Sequence, residues 1–270
     1  MGLLPGILQQ MIRLHKKRRF MGPVLTLGVL DVYARYDDVV QWCHAERFPS
    51  VPVPAAERRL STSRNFRAMG LHTKGFIHAA TFFRALGLEG YEDLDFSEAE
   101  GPTLVHDLNE PVPPPWHGRF GLVVDAGTIE HVFDMRTVMT NLVNLLAVGG
   151  SVFHVAPLSN WINHGFYQLS PCLFYDTYAA NGFDDFEAYR VHFPADTALP
   201  PVTVRPYEHT TRILEPEDRS QRELFVFVAR KTAPSVPFRL PTQSYYSPDR
   251  SPKLRSQESG VRSASPNGNL

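Results

Sequence analysis

The stretch Phe120-Gly-Leu-Val-Val-Asp-Ala126 constrains this chain more than any other part of it. It stays apolar without alternation and then reaches an acid. A strand with one face in water alternates, whereas a continuously apolar strand is covered on both faces, as in a parallel sheet flanked by helices. The neighbouring sequence keeps the same rule. Asp134 is placed to N-cap a helix over 135–147 that turns Val138, Met139, Leu142, Val143, Leu145 and Leu146 inward. Gly149-Gly150 ends that helix and launches a strand at 151–156.

The rest of the chain falls into the same alternation. Residues 22–30 follow a Gly-Pro break and read as a buried strand, and 36–47 as a short helix. Phe76, Ile77, Ala80, Phe83 and Leu86 share one helical face over 73–87, which Gly87 closes. Strands at 91–95 and 103–106 precede the central one; a helix at 170–181 and strands at 186–193 and 223–230 follow it. The expectation is an α/β fold with a doubly wound, mostly parallel sheet. It carries an insertion at about 33–72 after the first strand and ends in an antiparallel hairpin joined by a long excursion. The domain spans 1–231. Residues 232–270, with six prolines and eight serines, read as a flexible tail.

Composition narrows the partners. A net charge of −1 gives no basic field for nucleic acid. Cys43 and Cys172 cannot make a disulfide scaffold, so a reduced, cytoplasmic setting is the simplest one. No run reaches the ~20 apolar residues of a membrane span. The basic cluster Arg13, Lys16, Lys17, Arg18 and Arg19 reads as an amphipathic helix leaning on the domain, or as a contact with an anionic surface or partner. The eleven histidines lack His-x-x-x-His spacing and Cys-x-x-Cys is absent, so no metal site is expected. Nothing in the residues sets the oligomeric state.

In a doubly wound sheet, ligands bind beyond the carboxyl ends of the strands. The residues there are Gly28 to Asp31, Asp95 to Ser97, Asp107 to Asn109, Asp125 to His131, and Pro157 to Tyr167. Three successive strands run to an aspartate. A carboxylate at one tip accepts from a ribose diol and one at the next from an adenine amine, both charge-assisted contacts. A nucleoside-containing ligand fits this pattern.

The block 120–150, with Gly127-Thr-Ile-Glu-His-Val-Phe133 and a helix closing on Leu-Leu-Ala-Val-Gly-Gly, resembles the fourth-strand region of class I S-adenosylmethionine-dependent methyltransferases. Leu94-Asp95-Phe-Ser97 resembles the second strand of that family, and His106-Asp107-Leu108-Asn109 the third. The motifs at 106–111, 127–133 and 164–183 are similar to a bacterial methyltransferase-like subgroup. The resemblance implies S-adenosylmethionine as cofactor, held by Gly28, Asp31, Asp95, Asp107, Leu108, Asp125 and Gly127. It also implies a small-molecule substrate, such as a sugar or natural-product intermediate, methylated on oxygen or nitrogen. The loop after the fifth strand faces substrate in such folds, which makes His164 the expected base and Tyr167 the second catalytic-site candidate, as a wall of the substrate pocket. The first strand departs from the family: it offers Gly28 alone where the family has a Gly-rich turn, and Asp95 lies 67 residues beyond it. Two further readings stay open, a cofactor-free relative that binds a partner, and a use of the same cofactor for other chemistry.

Overall fold

The apolar runs become strands of one sheet, and the amphipathic runs become helices that cover its two faces. A computed structural model describes residues 2–194, 200–214, 220–234 and 237–246. In chain order the elements are β1 (Gly2–Leu3), α1 (Pro5–Arg18), β2 (Val24–Leu27), β3 (Asp31–Val32), α2 (Tyr36–Ala45), α3 (Arg64–Ala68) and α4 (Ala79–Ala85). These are followed by β4 (Tyr91–Asp95), β5 (Leu104–Val105), β6 (Phe120–Ala126), α5 (Met135–Leu145) and β7 (Leu146–Ser159). The last are α6 (Pro171–Ala180), β8 (Phe183–Pro194), β9 (Thr203–Tyr207) and β10 (Gln221–Lys231).

Eight strands form one sheet in the order β5-β4-β2-β6-β7-β10-β8-β9. The first five in that order are parallel; β10 runs antiparallel between β7 and β8, and β9 lies antiparallel on β8. This is the expected doubly wound, mostly parallel arrangement, and β8 with β10 forms its late antiparallel pair. β1 and β3 make a separate two-stranded sheet.

β6 shows why its sequence lacks alternation. Leu122 and Val124 join the core on one face, and Val123 joins the core on the other. α1, α2 and α4 cover the first face through Ile7, Leu8, Val39 and Phe82; α5 and α6 cover the second through Val138, Leu142 and Phe174. Asp134 caps α5 as its position suggests, accepting from the Thr137 N–H at 3.0 Å.

Boundaries move where side chains intervene. The helix read over 73–87 forms only from Ala79, because the His78 Nδ1 accepts from the Ala80 N–H and caps it there. Ile77 instead makes a bridge to Leu60. α5 gives way to β7 already at Leu146, ahead of the glycines. The buried Lys231 ammonium donates to the Val143 and Leu146 carbonyls at 2.7 and 2.9 Å, satisfying oxygens that a helix end leaves open.

The basic N-terminal helix does lean on the domain. Lys17 pairs with Glu187 at 2.8 Å, Arg18 with Asp185 at 2.9 Å, and Arg13 with Glu46 at 2.7 Å. Among the described residues, no helix is long and apolar enough to cross a membrane. Residues 33–72 join the same core through Val39, Cys43, Val53, Phe66 and Leu71. Of the proposed tail, the Arg239 N–H donates to Asn181 Oδ1 at 2.8 Å and the Ser244 N–H to Asp176 Oδ2 at 3.0 Å. Residues 247–270 lie outside the described residues.

Candidate active site

The chain leaves β2 for β4 and β5 on one side of the sheet and returns for β6 and β7 on the other. Connections therefore diverge between β2 and β6, and a crevice opens at their carboxyl ends. A cleft of about 470 Å³ occupies this place, and Gly28, Asp95, Asp107, Leu108 and Gly127 all line it.

Gly28 ends β2 at φ +82°, a conformation that disfavours a side chain. A Cβ there would stand 3.2 Å from Thr128 Oγ1 and 3.8 Å from Asp95 Oδ2. The glycine therefore keeps the floor of the cleft clear beside an acid. Its N–H donates to the Leu94 carbonyl at 2.6 Å, and the Thr128 hydroxyl donates to the Leu27 carbonyl at 2.7 Å. One glycine and one threonine thus tie three strand tips together. The two acids are held by local turns: Asp95 Oδ1 accepts from the Ser97 N–H, and Asp107 Oδ1 from the Asn109 N–H, both at 2.9 Å.

Asp31 and Asp125 do not line the cleft. The chain turns at Gly28, so Asp31 pairs with Gly2 in the small sheet, buried, its Oδ2 accepting from Asn65 Nδ2 at 2.6 Å. Asp125 sits beneath the loop that follows β6, with no exposure. Its Oδ1 accepts from the N–H groups of Thr128 and Ile129, and its Oδ2 lies 2.8 Å from His154 Nδ1. Tyr178 Oη closes the chain 2.6 Å from His154 Nε2. Every group is satisfied when Nδ1–H donates to Asp125 and the Tyr178 hydroxyl donates to Nε2. Burial and then the Asp125 charge push the Tyr178 hydroxyl well above its ordinary pKa.

The loop after β7 carries the other expected residues. The Tyr167 hydroxyl donates to the Phe133 carbonyl at 2.7 Å. The N–H groups of Phe166 and Tyr167 both donate to the Glu130 carbonyl, which fastens this loop to the one after β6. The His164 ring packs 4.8 Å from Trp161 and 4.9 Å from His131, with Nε2 3.5 Å from Glu130 Oε1. Burial first, and then the Asp125 carboxylate, raise the Glu130 carboxyl to about 8. Burial, as the largest cause, lowers both His131 and His164, so it favours the uncharged form of all three groups.

The sequence places Thr128, Glu130 and His131 at the strand tips only as part of the span Asp125 to His131, without a role for any of them, and does not single out His154 or Tyr178. Nothing in the pattern Thr-Ile-Glu-His tells which side chain turns inward. Of the basic residues in the insertion, Arg58 lies 3.7 Å over the Tyr36 ring. Arg59, Arg64 and Arg67 line a second cavity of about 520 Å³ that His78 and Glu100 share.

No family model matches the chain, and no curated protein matches it. Similar solved structures exist. A SAM-dependent methyltransferase from Archaeoglobus fulgidus aligns at a TM-score of 0.43 and 10% identity, covering 84% of this chain and 94% of that one. The 1,6-didemethyltoxoflavin-N1-methyltransferase of Burkholderia thailandensis, with bound 1,6-didemethyltoxoflavin and S-adenosylhomocysteine, aligns at 0.40 and 12%, covering 84% and 77%. The CMeT domain of the citrinin polyketide synthase aligns at 0.41 and 11%, covering 80% of this chain and 47% of that one, so the chain spans about half of it.

Proposed function

We propose that this chain is an S-adenosylmethionine-dependent transferase that methylates oxygen or nitrogen on a small molecule. The observation that carries the proposal is the convergence of Gly28, Asp95, Asp107, Leu108 and Gly127 on one crevice at the switch in strand order. The fit is physical: Gly28 leaves open the space that a Cβ would fill, directly beside the Asp95 carboxylate. Asp95 would hold the ribose hydroxyls, Asp107 the adenine amine, and Leu108 one face of the base. When bound, the cofactor supplies an electrophilic methyl group.

The chain's own residues supply orientation and a place for the proton. The hydroxyl of Tyr167 is committed to the Phe133 carbonyl, so its role is to position the loop. His164 is the base: burial favours its neutral form, which can accept the proton that an acceptor hydroxyl or amine loses. Phe96, Phe133, Ile162 and Phe166 stay exposed on the tips that follow β4, β6 and β7, and Phe133 and Phe166 pack edge to face at 5.5 Å. These apolar surfaces favour an acceptor with an apolar or aromatic face.

Calorimetric titration with S-adenosylmethionine and S-adenosylhomocysteine tests the reading. Both are expected to bind one per chain. Asp95→Ala is expected to cost about 1.5–3 kcal/mol of that binding, the worth of a hydrogen bond to a charged group. Folded protein that binds neither compound overturns the proposal and leaves a partner-binding relative of the fold.

A further inference from the structure

Beside the cleft, three side chains converge for which the nucleoside reading has no joint use. Glu130 is fully buried, and neither of its carboxylate oxygens has a hydrogen-bond partner. His164 Nε2, also buried and without a partner, lies 3.5 Å from Glu130 Oε1. His131 completes the group. One ligand atom from each residue falls within 4.8 Å of the other two. Leaving a polar atom buried and unpaired costs free energy, and native structures rarely do so without a purpose. Here the two Glu130 oxygens and His164 Nε2 are such atoms, with the exposed His131 beside them.

We propose that Glu130, His131 and His164 bind a divalent transition-metal ion of the zinc, iron(II) or cobalt(II) class. Two imidazoles and a single carboxylate select this class over calcium and magnesium, which require mostly oxygen ligands. The spacing is suitable. Ligands bound at about 2.0–2.1 Å in a tetrahedral site stand roughly 3.3 Å apart, and the Glu130–His164 pair is already close to that separation. His131 is exposed, and its ring stands 4.9 Å from that of His164, so a change of rotamer is all that the remaining distance requires. Three protein ligands leave a position for water or another molecule. Because His131 also lines the cleft, that position opens toward it.

Both loops are built to hold this geometry. The Glu130 carbonyl accepts from the Phe166 N–H at 2.9 Å, and a Cβ on Gly165 would come within 2.8 Å of the same carbonyl. The backbone that carries His164 is thus pinned against the backbone that carries Glu130 and His131. The metal site stands on these contacts whether or not the cleft takes S-adenosylmethionine.

The test uses the full chain, stripped with a chelator and titrated with cobalt(II) while the visible absorption is followed, then displaced with zinc. One ion per chain with tetrahedral or five-coordinate cobalt bands is expected. Glu130→Gln and His164→Ala should each weaken cobalt binding by about tenfold or more. His44→Ala, on the exposed side of α2, should leave it unchanged. Circular dichroism checks that each variant is folded; His131→Ala replaces any that is not. Absence of a one-to-one complex, or binding that survives both ligand substitutions, overturns the proposal. Neither readout depends on methyl transfer, so the metal site and the cofactor reading fail separately; an ion held on His164 Nε2 would exclude that ring as the base.

Discussion

Asp125 and Glu130 stand five residues apart, are both fully buried, and both face an imidazole, yet they are opposites. Asp125 is saturated: two backbone N–H groups and the His154 ring satisfy it, and Tyr178 satisfies the ring in turn. Glu130 has no hydrogen bond on either oxygen, only His164 Nε2 at 3.5 Å. The first acid shapes the loop after β6, and the second is left for something outside the chain. Burial alone therefore does not separate scaffold from site. Satisfied valence does.

The largest expected effect falls on the saturated side. Asp125→Ala strands two N–H groups and an imidazole in the interior, and should destabilise the fold by roughly 3–5 kcal/mol in urea titration. A loss below about 1 kcal/mol would break the contrast from that end. Tyr178→Phe removes only the outer link and should cost about 1–2 kcal/mol. Glu130→Gln, measured without metal, should change stability by under about 1 kcal/mol, because the amide replaces a carboxyl that burial already favours in its neutral form. A penalty like that of Asp125 would mean that both acids hold the fold.

The smallest effect comes from pH and a third buried imidazole. His15 accepts from the Phe20 N–H at 3.1 Å through Nδ1, and Nε2–H lies against the Leu86 carbonyl at 3.1 Å. Burial holds its pKa below the ordinary 6.5. The unfolded chain then binds the proton more readily, so this residue's stabilisation is present above about pH 6.5 and fades as pH falls through and below it. Denaturation midpoints between pH 7.5 and 5 should drop less steeply for His15→Gln than for the natural chain. Equal slopes would show that a partnered ring such as this one titrates without reference to the fold.

What could be read in advance follows a physical division. Periodicity records which faces are covered, so the β6 run, the α5 cap and the strand tips at Asp95 and Asp107 were legible. Pairings between distant segments leave no such mark. Gly2 beside Asp31 is one example, and it removes Asp31 from the cleft to which its strand-end position had assigned it. His164 beside Glu130 is another, brought together only when two loops are fastened across the sheet top. The helix read over 73–87 fails for a local reason, since the apolar spacing of Phe76 and Ile77 continues through residues that His78 excludes by capping. β9 is polar and short and carries a proline, so nothing in it announces a strand.

That last strand has a consequence for how far the sheet extends. At one margin β5 offers two residues, and at the other β9 interposes Pro206, which has no amide hydrogen to donate. Among the described residues, neither β5 nor β9 offers a stray extended peptide a long uninterrupted ladder. Short and proline-bearing margins of this kind disfavour the edge-to-edge pairing to which a broad sheet is otherwise open.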